Sequence, residues 1–323
     1  KLFIQICHQI HKIARYIVIS LISPSEIKAP TSIAIGSFDG LHEGHRKLIE
    51  SVVQNSQYIP TIASFWPHPR EVLFGETRLR LDLPEEKLPL LENLGIEQLV
   101  LIPFDKKLSK LSANYFLKDI LFNQLQTKSI SVGENFRFGY KREGDINTIR
   151  ESIKNQNIAL NIIPLLEDQY GRISSSRVRE LLLNSDLDNA SKLLQRPYSF
   201  SGKVVKGKGL GKEIGFPTAN LEIDGRKFLP GVGVYAAWTS TAKFKDKIPS
   251  IMNLGPQPTI DPLSPSAVEV HLIDQNINLY DLKLTIQPIK KIRSQIKFPN
   301  LSELSQQIEN DRNMAKEIFK IIK

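Results

Sequence analysis

The chain has 323 residues, 41% hydrophobic and 24% charged, a balance with neither the polar bias of disorder nor the apolar bias of a membrane protein. Its length suits two domains of ordinary size. A formal charge of +9 favours anionic partners without choosing among nucleic acid, anionic lipid and phosphorylated small molecules, while the single cysteine, Cys7, excludes an intrachain disulfide and a multi-cysteine zinc site and suits a reducing, cytoplasmic compartment.

Residues 1–22 are apolar-rich, but Lys1, His8, His11, Lys12 and Arg15 interrupt them before about 18 clean apolar residues accumulate, so no membrane span is expected. The segment reads as an extension or marginal amphipathic helix of unknown role. From Thr31, apolar runs alternate with amphipathic stretches: strands at Ser32 to Ser37, Ile59 to Phe65, Leu99 to Pro103, Ser129 to Gly133 and Leu160 to Pro164, with helices near 44–55, 113–125 and 147–155. Repeated βα units imply a parallel sheet covered on both faces, with ligands at the carboxyl ends of its strands. Short helices at 176–183 and 187–194 precede Arg196-Pro197, where the helical period breaks. Beyond lie short β-branched and aromatic runs at 202–205, 233–238, 268–273 and 282–289, the texture of an antiparallel barrel or sandwich, closed by an amphipathic helix over 301–322 that Ser302 and Glu303 begin. The expected division is an extension at 1–22, a first domain at 23–185, a linker helix region at 186–197 and a second domain at 198–323.

The run Gly36-Ser37-Phe38-Asp39-Gly40-Leu41-His42-Glu43-Gly44-His45 joins the first strand to the first helix. A helix amino terminus presents N–H groups to an anion, and glycines let backbone approach it. His42 and His45, three apart, share one face of the opening turn and can donate to a triphosphate as charge builds on the reacting phosphorus. A lone histidine or glycine cluster has bland explanations, a surface ring or a turn. The joint pattern resembles the nucleotidyltransferase family with the H-x-G-H signature, and specifically its FAD synthetase branch. Similar to that branch are also Ser64 to Leu73, with Trp66 and His68, and Val132 to Gly139, with Asn135. Ile173 to Arg179 is similar to its I-S-S-T-x-x-R segment, Ser176 standing where Thr is usual. The resemblance implies that Gly36, Phe38, Asp39, Gly40, His68, Asn135, Ser175, Ser176 and Arg179 contact nucleotide or flavin, and that His42 and His45 are catalytic. Taken alone, Trp66 reads as core, Asn135 as a turn former, and Ser175 to Arg179 as a plain cap with solvated arginines.

Gly202 to Asn220 packs five glycines and four lysines into nineteen residues, a loop able to nest a triphosphate but lacking Walker A spacing. Within it, Gly215-Phe216-Pro217-Thr218-Ala219-Asn220 resembles the riboflavin kinase signature, and 229–235, 253–259 and 268–272 match in family order. This resemblance implies ATP and flavin contacts from Gly207, Lys208, Gly211, Lys212, Gly215, Pro217, Thr218, Asn220, Asn253 and Arg293, magnesium ligation by Thr218 and Asn220, and Glu269 as general base. By pattern alone Glu269 equally fits the solvent face of a strand. Arg293, Phe298 and Asp311 fall in a tail similar to the family's flavin cover. Two positions depart from the family: Lys212 replaces Arg, losing a bidentate fork, and Asp281 replaces Gly.

Together these motifs imply an α/β Rossmann-like nucleotidyltransferase domain with a parallel sheet, followed by an antiparallel β-barrel riboflavin kinase domain with a C-terminal helix. The implied enzyme phosphorylates riboflavin to FMN and adenylylates FMN to FAD, with ATP and Mg2+ at two sites. A narrower reading keeps the adenylyltransferase and treats the barrel as a weakened kinase or flavin-binding module; a third is a flavin sensor or nucleic-acid binder on the same scaffold. Neither a helix-turn-helix nor an aromatic-basic RNA signature occurs, so no nucleic-acid partner is expected. Oligomerisation is compatible with the sequence but not legible in it.

Overall fold

The structure, a computed structural model, describes residues 20–54, 57–76, 79–207, 211, 215–244, 246–255, 268–275 and 277–322. Its residues form two compact units: the described part of Lys1–Arg78 with Asp82–Ser174, and Leu79–Leu81 with the described part of Ser175–Lys323.

The first unit runs β1 (Ser20–Ile22), β2 (Thr31–Ile35), α1 (Glu43–Val53), β3 (Ile59–Trp66), α2 (Pro69–Phe74), α3 (Pro84–Glu92), β4 (Gln98–Pro103), α4 (Ala113–Tyr115, continuing as a π-helix over Phe116–Gln124), β5 (Thr127–Gly133), α5 (Ile146–Ile153), β6 (Ala159–Ile163) and a hairpin of β7 (Glu167–Asp168) and β8 (Gly171–Arg172). The sheet order is β1-β4-β3-β2-β5-β6, with every neighbouring pair parallel. Strand periodicity of two splits its apolar residues between two faces. Ile33, Ile35, Ala63, Val100, Ile102, Ile130 and Val132 pack with α4 and α5, whereas Ala34, Ile62, Leu99 and Leu101 pack with Ile49 and Val52 of α1 and Leu88 and Leu91 of α3. Each Val, Leu or Ile side chain among them contributes about 1.5–3 kcal/mol by burial, the alanines less. A sheet buried on both sides explains why its strands read as continuous apolar runs.

Two expectations need correction here. The last three residues of the expected extension are not helical: Ser20–Ile22 is an edge strand paired with Gln98 to Val100. The helix expected over 113–125 widens to π hydrogen bonding after Tyr115. Its buried residues are Phe116, Leu117, Ile120 and Leu121, with Leu125 buried just beyond and its N–H donating to the Ile120 carbonyl five residues back. That spacing of four to five keeps 116, 120–121 and 125 on the sheet side, which an α-helical period would not.

The second unit holds α6 (Ser175–Leu183), α7 (Leu187–Leu194), β9 (Phe200–Val205), β10 (Ala219–Glu222), β11 (Gly233–Ser240), β12 (Ile248–Leu254), β13 (Val268–Leu272), β14 (Lys283–Arg293) and α8 (Leu301–Ile322). Of the two expected all-β forms it is the barrel, closed and antiparallel in the order β10-β13-β12-β11-β14-β9. Ala315 and Phe319 of α8 pack on Val234, Ala236 and Ile251, with Trp238 against Phe319 at 4.5 Å. The cap of α8 is Asn300 rather than Ser302: its Oδ1 accepts from the Glu303 N–H at 2.9 Å while its Nδ2 donates to Glu303 Oε1 at 3.0 Å. The excursion Leu79–Leu81 forms a parallel bridge at Arg80↔Lys227. Arg80 N–H donates to the Arg226 carbonyl at 2.7 Å, and the Leu81 carbonyl accepts from Tyr198 Oη at 3.3 Å and from Nζ of Lys227, which is 1% exposed.

Candidate functional site

Chain order runs outward from β2 through β3 to β4, then returns to β5 on the other flank of β2. This reversal makes a crevice at the carboxyl ends of β2 and β5, the place where open α/β sheets bind ligands. The loops after both strands, 36–42 and 134–139, are the two motif segments read from the sequence.

In the first loop Phe38, Gly40 and Leu41 hold φ of 45°, 90° and 46°. Left-handed backbone costs a non-glycine residue about 1–2 kcal/mol, here offset by complete burial of Phe38 and Leu41. The Ser37 carbonyl accepts from Ser64 Oγ at 3.3 Å and Lys87 Nζ at 3.4 Å, Gly36 N–H donates to the Ala63 carbonyl, and Asp39 Oδ1 accepts from the Asp82 N–H. His42 is the N-cap of α1 and makes no side-chain capping bond, so its ring is turned to other use. It stacks on His45 with centroids 3.8 Å apart and planes 18° from parallel, and Phe38 tilts against His45 at 5.2 Å.

Both Nδ1 atoms are buried without a hydrogen-bond partner among the described residues. Burial lowers the His42 pKa to about 4, Asp39 opposing the shift and Arg172 adding to it. His45 is likewise held well below 6.5, by burial first and then by His42, Lys87 and Arg172. The pair is therefore neutral at pH 7, two N–H donors rather than two cations.

Asn135 is exposed in the loop after β5; with its amide oxygen toward Arg172, it accepts from that guanidinium at 3.2 Å. Arg172 and Lys87, whose charges reach the imidazoles, are missing from the sequence reading. Arg172 was detectable, since it directly precedes Ile173-Ser174-Ser175; Lys87 carries no motif signal. His68 caps α2, Nδ1 accepting from the Arg70 N–H at 3.1 Å. With Gly36 it lines a cavity of about 900 Å³, walled by Phe65, Phe104, Phe116, Phe136 and Phe138 and lined by six exposed cations: Arg70, Lys106, Lys110, Arg137, Lys141 and Arg142. Ser175, Ser176 and Arg179 lie on α6 in the second unit, where Arg179 donates to the Leu79 carbonyl at 3.2 Å and lies over Phe228.

In the barrel, strand register gathers the second motif set. Asn220 pairs with Glu269, Glu269 with Asn253, Asn253 with Val234 and Val234 with Arg293, one transverse row across five strands. All five, with Gly207, Gly211 and Thr218, line a cavity of about 860 Å³. A Cβ on Gly207 would fall 2.0 Å from Asn220 Nδ2, and one on Gly211 would fall 2.4 Å from the Phe216 carbonyl oxygen, so glycine keeps this cradle open. Gly215 takes φ of 84°. Gly215 and Pro217 flank the cavity lining without joining it, and Lys208 and Lys212 lie outside the described residues.

Glu269 is half-buried, and no described residue bonds its carboxylate. Asn253 Oδ1 accepts from Gln295 Nε2 at 2.7 Å, a partner the sequence reading missed. Arg293 donates from Nε and Nη2 to Asp311, 2% exposed, at 2.8–3.0 Å, and lies over Phe298 at 5.7 Å. Asp281, where the resemblance expects Gly, takes φ of 65° and pairs with Lys203 at 2.6 Å. The left-handed turn thus survives the substitution.

Residues 25–177 match the family model described as FAD synthetase and residues 194–319 that of riboflavin kinase. The bifunctional riboflavin kinase/FMN adenylyltransferase of Buchnera aphidicola (subsp. Schizaphis graminum) is 34% identical over 304 residues, covering 92% of this chain and 96% of that protein. Its namesake from Escherichia coli is 35% identical over 296 residues, covering 90% and 93%. The crystal structure of a macrolide-efflux protein from Streptococcus pneumoniae has the same fold, with a TM-score of 0.80 at 27% identity over 93% of this chain and 99% of that one. Among the described residues no helix is long and apolar enough to cross a membrane. Each family match falls on a segment that lines its own cavity, and the chain belongs to the bifunctional riboflavin kinase/FMN adenylyltransferase family.

Proposed function

We propose that the stacked His42–His45 pair serves adenylyl transfer and that the Asn220–Glu269–Asn253 row serves phosphoryl transfer, in an enzyme that converts riboflavin to FMN and FMN to FAD with ATP. The observation that carries this reading is the neutral imidazole pair at the carboxyl end of the switch-point strand. Neutral N–H donors bind a polyphosphate without being neutralised by it beforehand, and gain strength as negative charge develops on the departing pyrophosphate. An FMN phosphate oxygen attacks the α-phosphorus in line, and the bond to pyrophosphate breaks. Gly36, Phe38, Asp39 and Gly40 shape the loop that receives the nucleotide, and Asn135 with Arg172 guards the other lip. The aromatic cavity with His68 suits the isoalloxazine ring, its cations the flavin phosphate.

In the barrel, Glu269 accepts the proton of the ribityl hydroxyl as that oxygen attacks the γ-phosphorus and ADP leaves. Gly207 and Gly211 admit the phosphates, Asn253 and Arg293 shape the flavin side, and Gly215 and Pro217 fix the approach to Thr218. Mg2+ fits this donor set: no cluster of three His, Cys, Asp or Glu exists among the described residues, and a hydroxyl, an amide oxygen and one carboxylate leave room for the waters and substrate phosphates that Mg2+ keeps. Thr218 and Asn220 would hold it, and it would supply charge neutralisation at the phosphates.

The test is incubation with riboflavin, ATP and Mg2+, with FMN and FAD separated by chromatography. His45→Ala is expected to lose FAD formation by about 10²–10³-fold with FMN formation retained. Glu269→Gln is expected to slow FMN formation by about 10²–10⁴-fold while still adenylylating supplied FMN. The opposite pattern overturns the assignment.

A further inference from the structure

His271 follows Glu269 by two residues on β13, so both side chains fall on the cavity face. The β10–β13 ladder pairs Leu221↔Val268, Asn220↔Glu269 and Ala219↔Val270, and ends there. Thr218 and Pro217 come next on β10's side, and Pro217, without an N–H, cannot extend the ladder as a donor. A side chain takes over at this point. His271 Nδ1 lies 2.9 Å from the Pro217 carbonyl oxygen. A carbonyl only accepts, so Nδ1 carries the hydrogen. The imidazole is 8% exposed and meets the Phe216 ring edge-on at 5.6 Å; Phe216 is further held by its N–H to the Gly211 carbonyl at 2.8 Å and by the Arg312 guanidinium above its ring. Residues 216 and 217 are thus clamped to the strand of Glu269 immediately before Thr218.

We propose that His271 is a positioning residue for phosphoryl transfer, its Nδ1–H bond to the Pro217 carbonyl fixing the Thr218 hydroxyl relative to the Glu269 carboxylate beyond the end of the backbone ladder. This rests on the reading of the barrel as the kinase site. Loss of the bond lets the Pro217–Thr218 segment shift while the Thr218 hydroxyl and Glu269 carboxylate are both retained but misaligned, so it acts on kcat more than on riboflavin binding.

The experiment compares His271→Leu, His271→Asn and His271→Gln in the full chain. Asn places its amide N–H near the position of Nδ1, whereas Gln places it near Nε2. His271→Leu and His271→Gln are expected to lower the phosphorylation kcat by about 10–100-fold with KM for riboflavin nearly unchanged, and His271→Asn to recover most of the rate. Adenylylation of supplied FMN and the melting temperature report whether each variant is folded; if His271→Leu does not fold, the Asn and Gln pair decides. An unchanged kcat in His271→Leu, or His271→Asn impaired as deeply as His271→Gln, overturns the proposal. Thr218→Ala and Glu269→Gln separate the two levels. If they leave phosphorylation intact, the kinase reading itself fails; if they abolish or severely slow it while His271→Leu leaves kcat unchanged, only the positioning role fails.

Discussion

His42 and His45 owe their pairing to a spacing of three on a helix and their charge state to burial. The two causes predict different things. Because the folded His42 titrates near 4 and an unfolded one near 6.5, the unfolded chain binds a proton that the folded chain refuses between those values. The stabilisation is complete above pH about 6.5 and is lost as pH falls toward 4, at about 1.4 kcal/mol per pH unit. Urea unfolding at pH 7 and pH 5 is expected to show a smaller difference in His42→Gln than in wild type; equal differences would contradict the burial of that ring. The pair was legible in the sequence because its signal is local. Lys87 and Gln295 were not, since a charge or amide becomes part of a site only through contacts distant in the chain, such as Lys87 to the Ser37 carbonyl and Gln295 to Asn253; Arg172 had only its place directly before Ile173-Ser174-Ser175 to mark it.

At the level of elements, the apolar pattern located β2 to β5 to within a few residues because both of their faces are largely buried, and β6, only half-buried, by its apolar run alone. It missed Ser20–Ile22, whose place at the sheet edge is fixed by pairing with β4 rather than by any pattern of its own. It also assigned Ala113–Leu125 to an ordinary helix, since a π-helix differs only by one residue in spacing. Register was beyond it altogether. Nothing local in Asn220, Asn253 and Glu269 says that three strands present them at one level, and Glu269 read as readily as a solvent-facing acid. The glycine cradle gives this row a direct test. In Gly207→Ala the new methyl must displace the Asn220 amide, the movable end of a side chain, so stability should change by less than about 1 kcal/mol while displacement of the amide by about 1 Å lowers phosphorylation by as much as about 10²-fold. Calorimetry beside the FMN assay checks both halves, and a normal rate would mean that Asn220 is not held where the reaction needs it.

For the molecule as a whole, on the proposed assignment the product of one cavity is the substrate of the other, and the residues lining each cavity belong to one unit. A mixture of His45→Ala and Glu269→Gln chains, each unable to complete the sequence from riboflavin, should therefore make FAD after a lag while FMN accumulates in solution. Absence of FAD from the mixture, with each half-reaction intact by itself, would show that FMN does not pass between chains. Composition and charge pointed to a two-domain protein with anionic ligands, but only the motifs chose among the ligand classes that +9 allows.

The excursion Leu79–Leu81 bears on how such an enzyme could be cut or recombined. Three residues embedded in the sequence of the first unit supply the second with a bridge at Lys227 and an acceptor for two buried donors, Tyr198 and Lys227. A gene truncated to begin at Ser175 would encode every barrel strand yet lose the bridge at Lys227 and the Leu81 carbonyl that Lys227 and Tyr198 share, while Tyr198 keeps its bond to the Phe228 carbonyl. No single cut in the chain thus separates the two units, and a transplanted kinase half would need a short peptide from the first unit's stretch of sequence to keep all of its bonds.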